Sequence, residues 1–204
     1  GWFYVLERAT GRLIYRSEPF VPQKNLFTNP TEEGVYITPA IAGGNNWSPV
    51  SVNAEKNRVF IAALHAPVMY YTKKIDSKKS NLPWKSYTYF NFVEDKNDRY
   101  GTLTSIDLAT GKIDWQHKTQ LPMLGGVLST AGNLVFSGEG NGEFFALDST
   151  TGKKLWSYHS DYGVNAPPMS YRVNGKQYIA VAAGGNKIAK YPVGDELLVF
   201  GLEE

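Results

Sequence analysis

The chain has no cysteine. That removes disulfides, thiolate nucleophiles and thiol-ligated metals together. Histidine is scarce too: His65, His117 and His159 fall on separate segments with no i,i+4 pair, so a histidine metal site is not expected. No run of about eighteen apolar residues occurs, and hydropathy therefore offers no membrane-spanning helix. The first residues lack a basic stretch followed by an apolar one, so an export signal, if the protein is exported, precedes Gly1. The net charge is +2, which makes no case for a nucleic-acid partner, and the lysine-rich run "TKKIDSKKS" (72–80) reads as a solvated loop. Helical periodicity of useful length is also missing, which excludes helical repeat arrays.

What is present is a repeat. "GTLTSIDLATGKIDW" (101–115) lies over "GEFFALDSTTGKKLW" (142–156) with Gly, Asp, Thr-Gly and Trp in register, a period of 41 residues. "GWFYVLERATGRLIY" (1–15) fits the same frame, with Glu7 for Asp and Tyr15 for Trp. Before the turn, Leu103, Ser105, Phe145 and Leu147 alternate with their neighbours as in half-buried strands. In the turn, Asp and Thr side chains can bond nearby backbone amides, while Gly takes a left-handed conformation. The return strand ends on an indole, an apolar face with one N–H that needs a partner. Trp115 and Trp156 are read as wedges that dock each repeat on its neighbour.

A period near 40 with about four short strands per unit is the pattern of a β-propeller blade. From Gly101 onward, strands are expected at 102–107, 112–117, 126–129, 133–138, 143–148, 153–158, 166–172, 177–183 and 196–202. Residues 16–40 read as a connection with a short strand at "GVYITPAI", and 58–64 as a strand. Residues 65–100, rich in tyrosine and including Trp84, read as a long aromatic loop insertion in one continuous unit, 1–204. The closing "DELLVFGLEE" reads as a strand and a charged chain end.

The run "LPMLGGVLSTAGNLVFSGEGNGEFFALDSTTGKKLWSYHSDYGVNAPPMSYRVNGKQYIAVAAGG" (121–185) resembles the C-terminal part of the pyrroloquinoline quinone (PQQ)-dependent alcohol dehydrogenases. "GWFYVLERATGRLI" and "GGNNWSPVSVNAEKNRVFIAAL" are similar to earlier segments of that same half, in the same order. The resemblance implies an all-β fold: a partial propeller of about four blades from an eight-bladed ring. It implies PQQ with calcium, or a lanthanide, in the intact enzyme, with a carboxylate base and hydride transfer from an alcohol to the quinone. It also implies a periplasmic enzyme that passes electrons to cytochrome c or a quinone.

Carried over by position, Asn46 of "GGNNW" matches a family asparagine that contacts the quinone. Trp47 follows it, and both a cofactor contact and simple packing stand open for it. Leu124 lies where some members place a tryptophan near the cofactor edge; its alternative is an ordinary strand start. The family's base aspartate, metal ligands and stacking tryptophan match positions before Gly1, so no catalytic or metal residue is assigned, and Asp107, Asp148 and Asp161 are read as turn or connector residues. The chain alone is accordingly expected to be inactive and to carry no bound cofactor. Its open edges are expected to pair with the missing N-terminal half or with another copy. The alternative function is a non-catalytic propeller scaffold in a protein assembly such as an outer-membrane insertion complex.

Overall fold

The structure, a computed structural model, describes residues 1–41, 43–76, 85–93, 95 and 98–202; Trp84 and residues 77–80 of the lysine-rich run lie outside them. Among the described residues the strands are β1 (Tyr4–Leu6), β2 (Leu13–Arg16), β3 (Val35–Ile37), β4 (Ser51–Asn53), β5 (Arg58–His65), β6 (Val68–Lys74), β7 (Ser86–Phe92) and β8 (Tyr100–Asp107). They continue as β9 (Ile113–Thr119), β10 (Leu128–Ser129), β11 (Leu134–Gly138), β12 (Glu143–Asp148), β13 (Lys154–His159), β14 (Met169–Val173), β15 (Lys176–Ala183) and β16 (Glu196–Gly201). Four sheets follow the chain: β1-β2, β4-β5-β8-β9, β10-β11-β12-β13 and β14-β15-β16. All are antiparallel.

The turn has the same backbone bond three times, from Gly11, Gly111 and Gly152 N–H to the carbonyls of Glu7, Asp107 and Asp148, and the same carboxylate bonding twice. Asp107 Oδ1 accepts from the N–H groups of Ala109 and Thr110 at 2.8 and 2.9 Å, and Asp148 Oδ1 from Thr150 and Thr151 at 3.0 and 2.8 Å. These donors, first among them the Thr110 and Thr151 amides, hold both carboxyls below the usual carboxylate range. Glu7, one methylene longer, reaches only the Thr10 hydroxyl and Arg12. Each hairpin shifts register just before its turn, at Val5/Leu6, Ser105/Ile106 and Ala146/Leu147. The second and third shifts are again 41 residues apart.

The aromatic at the end of the first two frames docks on the next turn. Tyr15 donates its hydroxyl to the Leu108 carbonyl, and Trp115 Nε1 donates to the Ser149 carbonyl at 3.1 Å, the equivalent position one repeat later. Gly152 has a φ of +71°, and a Cβ there would stand 2.6 Å from the Trp115 ring. Glycine is thus required twice over, for backbone and for space. Trp156 packs edge-on against Phe200 of β16 instead, 5.0 Å between centroids.

Between the sheets lie three apolar clusters. Phe60, Leu103, Val135, Phe145 and Leu147 join the first four-stranded sheet to the second. Phe136, Phe144, Ala146, Ile179 and Val181 join the second to β14-β15-β16. Phe20, Val21, Val59, Ile61 and Ile106 fill the space beneath β1-β2. Successive residues of β5 and β12 therefore serve opposite cores, as the two-residue period of a strand dictates. The half-buried character expected of Leu103, Ser105, Phe145 and Leu147 is corrected here: β8 and β12 are central strands covered on both faces.

The aromatic segment 65–100 differs from the loop expected of it. It is an insertion between the paired strands β5 and β8, but it contains β6 and β7, which form a hairpin and extend to β3 as a separate sheet. Cross-strand ring pairs account for its composition: Tyr71 with Tyr89 at 5.1 Å and Tyr70 with Phe90 at 6.1 Å. A partly buried polar chain fastens its base. Thr38 Oγ1 bonds His65 Nδ1, His65 Nε2 bonds Asp98 Oδ1, and Tyr36 donates to Asp98 Oδ2, each within 3.0 Å. Burial, then Asp98, pushes the Tyr36 hydroxyl up to about 12, so it remains a donor at any physiological pH.

Candidate functional site

Three chain segments meet where the sheets begin: 44–49 before β4, 124–127 before β10, and 165–167 before β14. Ser48 Oγ donates to the Leu124 carbonyl at 3.0 Å, and Val127 N–H donates to the Pro49 carbonyl at 3.1 Å. Ser129 N–H and hydroxyl both meet Ser51 Oγ, at 2.9 and 2.7 Å. On the other side, a Cβ on Gly125 would touch Asn165 and Ala166 at 3.4 Å, and one on Gly126 would stand 2.6 Å from Pro167. The structure thus brings Leu124 beside the Asn46-Trp47 loop, its own carbonyl held by Ser48 and the following strand start held by Pro49 and Ser51.

Within that loop the two asparagines divide. Asn45 turns inward, its Nδ2 donating to the Ala62 carbonyl at 2.8 Å and the Ser48 carbonyl at 3.0 Å. Asn46 is left exposed beside it, and Trp47 is 90% exposed. Trp47 thus leaves most of its indole uncovered by the described residues. Leu124 is half-buried, with its carbonyl committed to Ser48.

The polar groups that the sequence reading missed are Asn45, which shapes the loop, and Glu139, which locks the next turn. Glu139 is buried at 3% exposure on the β11–β12 turn, and its Oε1 accepts the Leu121 N–H at 2.6 Å. Burial, outweighing that bond and helped by the Glu143 charge, raises its pKa. A carboxyl raised in the folded state binds its proton more tightly there than when unfolded, so its stabilisation is full at acid pH and is lost as pH rises through the folded pKa. Glu139→Gln keeps an acceptor for Leu121 without the buried charge. Its urea midpoint is expected above that of the parent at neutral pH, with the gap closing toward pH 4; a lower midpoint at neutral pH would count against this reading.

Among the described residues no group of three or more His, Asp or Glu lies together as metal ligands. A cavity of about 420 Å³ lies to one side, lined by Arg99, Tyr100, Lys118, Gln120 and Tyr191. Its cations already cap rings, Lys118 over Tyr100 at 3.7 Å and Arg99 over Phe92 at 4.5 Å. The convergence of inner-strand starts is the better candidate, because it gathers backbone and amide groups from three sheets.

Antiparallel sheets of one period, each docked on the next by an aromatic wedge with their inner ends converging, define a β-propeller segment. Residues 21–179 match the family described as glucose/ethanol/alcohol dehydrogenase, β-propeller domain, and the chain belongs to this PQQ-dependent family. It is 33% identical over 209 residues to the quinoprotein alcohol dehydrogenase PedE of Pseudomonas putida, covering 90% of this chain and 32% of PedE. A quinoprotein ethanol dehydrogenase of Pseudomonas aeruginosa is 31% identical over the same share of this chain and 33% of its own length. Among solved structures, the quinohemoprotein alcohol dehydrogenase of Comamonas testosteroni superposes with a TM-score of 0.79 at 28% identity, over 98% of this chain and 34% of its own. A europium-containing methanol dehydrogenase gives 0.80 at 25% identity, over 99% and 43%. The chain spans about a third of the length of the curated relatives it matches.

Proposed function

We propose that this chain is the C-terminal part of a PQQ-dependent dehydrogenase that oxidises alcohols, and that it supplies one side of the cofactor cavity. The observation that carries the proposal is the family match across residues 21–179, which spans both candidate segments around Asn46 and Leu124. About four blades of an eight-bladed ring are proposed for it. Large apolar side chains are exposed at both ends of the array, Tyr4, Leu6, Leu13 and Ile14 at one and Met169, Leu197 and Val199 at the other. These are the faces on which the rest of the ring, or a second copy, would pack.

The residues present suit a flat, carboxylate-bearing quinone. Asn46 offers an exposed amide to a carbonyl or carboxylate, Trp47 an indole face, and Leu124 an apolar edge. When bound, the quinone supplies a hydride acceptor for the alcohol carbon. This chain's part is to orient it; the general base and the calcium or lanthanide site are proposed to lie on the remainder of the ring, and the chain alone to be inactive. A relative is named as a cytochrome c-dependent lupanine hydroxylase, and another as the dehydrogenase subunit of an alcohol dehydrogenase (quinone). Their names support cytochrome c or a quinone as electron acceptor, and the family resemblance supports a periplasmic site of action.

Half a cavity should hold quinone too weakly to keep it through purification but well enough to register in a titration. With PQQ and calcium added, saturable quenching of tryptophan fluorescence is expected, weakened about tenfold by Asn46→Ala, the size of one charge-assisted hydrogen bond. A well-folded chain that shows no saturable change would instead support the scaffold reading.

A further inference from the structure

We infer that Asn165 is a polar contact of the quinone cavity, equivalent within the repeat to Leu124 and supplying the hydrogen-bonding group that Leu124 lacks. The inference rests on the proposed quinone site and extends it to a residue of the third sheet. Its first support is the frame. The period of 41 that relates Asp107 to Asp148 also carries Leu124 onto Asn165, and the two segments lie side by side, with Gly125 against Asn165 and Gly126 against Pro167.

The second support is chemical. Both amide atoms of Asn165, Oδ1 and Nδ2, are buried and have no hydrogen-bond partner. A buried amide with a free donor and a free acceptor is destabilising unless something satisfies it. Room has been kept for it: a Cβ on the neighbouring Gly163 would stand 3.1 Å from Nδ2 and 2.8 Å from the Gly140 carbonyl. Gly163 is itself pinned by its N–H to the Pro192 carbonyl at 2.9 Å and by the Gly185 N–H to its own carbonyl at 2.8 Å, so the amide is held in a stiff frame. Gln23 also has an unpaired buried amide, but it lies against Gly1 in the connection before β3 and outside the repeat frame. Among the described residues, Asn165 is the one whose orphaned amide also holds a position in the repeat frame at the convergence of the sheets. A quinone presenting carbonyl and carboxylate oxygens would take the Nδ2 donor.

The test uses Asn165→Leu, the residue that the repeat itself carries 41 positions earlier, and Asn165→Ala. In the titration with PQQ and calcium, both variants are expected to bind about tenfold more weakly than the parent chain. Without quinone, the urea midpoint of Asn165→Leu is expected at or above that of the parent, because an unpaired polar group has been removed. Unchanged affinity in a parent chain that does bind would overturn the role of Asn165 alone. Absence of binding by the parent would overturn the quinone site and this inference with it. Loss of the folded state in both variants would show that the amide serves packing, which also overturns the inference.

Discussion

Trp115→Ala is expected to lower the unfolding free energy by about 3 kcal/mol, the low end for removing a large aromatic from a core, because the indole is only partly buried. The ring packs against the cluster of Phe60, Leu103 and Phe145, covers Gly152 of the next turn, and donates Nε1–H to the Ser149 carbonyl. It thereby bridges two sheets, and its loss opens a void along their seam. Trp115→Phe separates the terms: it keeps much of the apolar contact and gives up the hydrogen bond, for a loss of about 1 kcal/mol from that bond. Trp156→Ala is the internal comparison. That indole is 40% exposed and rests edge-on against Phe144 and Phe200, with no bond to a following turn among the described residues. Urea unfolding followed by far-UV signal reads all three. Equal losses for the two alanine variants would argue that the docking turn adds nothing to the wedge.

The second large effect is at Gly126, where the three inner-strand starts touch. Its φ is not in the left-handed region, so the requirement is one of space alone. A methyl group would stand 2.6 Å from Pro167 on one side and from Pro49 on the other. Neither proline ring can rotate away. The segment itself cannot slide either, because the Ser137 hydroxyl holds the Gly126 carbonyl at 2.9 Å and Val127 N–H holds that of Pro49. Gly126→Ala is therefore expected to cost about 2–3 kcal/mol, the upper part of the range for overpacking. Gly132→Ala serves as control, since the nearest atom to its Cβ is Thr130 Oγ1 at 3.8 Å. The outcome that would sink the idea is a Gly126→Ala midpoint within error of that control.

Local chemistry explains why so much of the second half could be read from the chain. The Asp-x-x-Thr-Gly turn closes through bonds among five consecutive residues, and the strands after Gly101 lie close to the spans expected of them. The hairpin β6–β7 was not legible, because its stability comes from pairs such as Tyr71–Tyr89, eighteen residues apart, and from an edge borrowed from β3. Neither is signalled by a turn motif. Asn45 and Asn46 were adjacent and alike in sequence, yet the carbonyls of Ser48 and of Ala62 on β5 take the Asn45 amide inward and leave that of Asn46 outside.

The same division holds for the whole protein. Its sequence by itself determined the repeat, the docking aromatics and the family, since each depends on residue type at short, fixed spacing. Only the tertiary structure decided that β8 and β12 are covered on both faces, that Ser48 ties the Asn46 loop to Leu124, and that the Asn165 amide is buried without a partner. Burial and hydrogen-bond satisfaction are properties of what surrounds a residue. Here the surroundings come from sheets that the chain reaches only one or two repeats later.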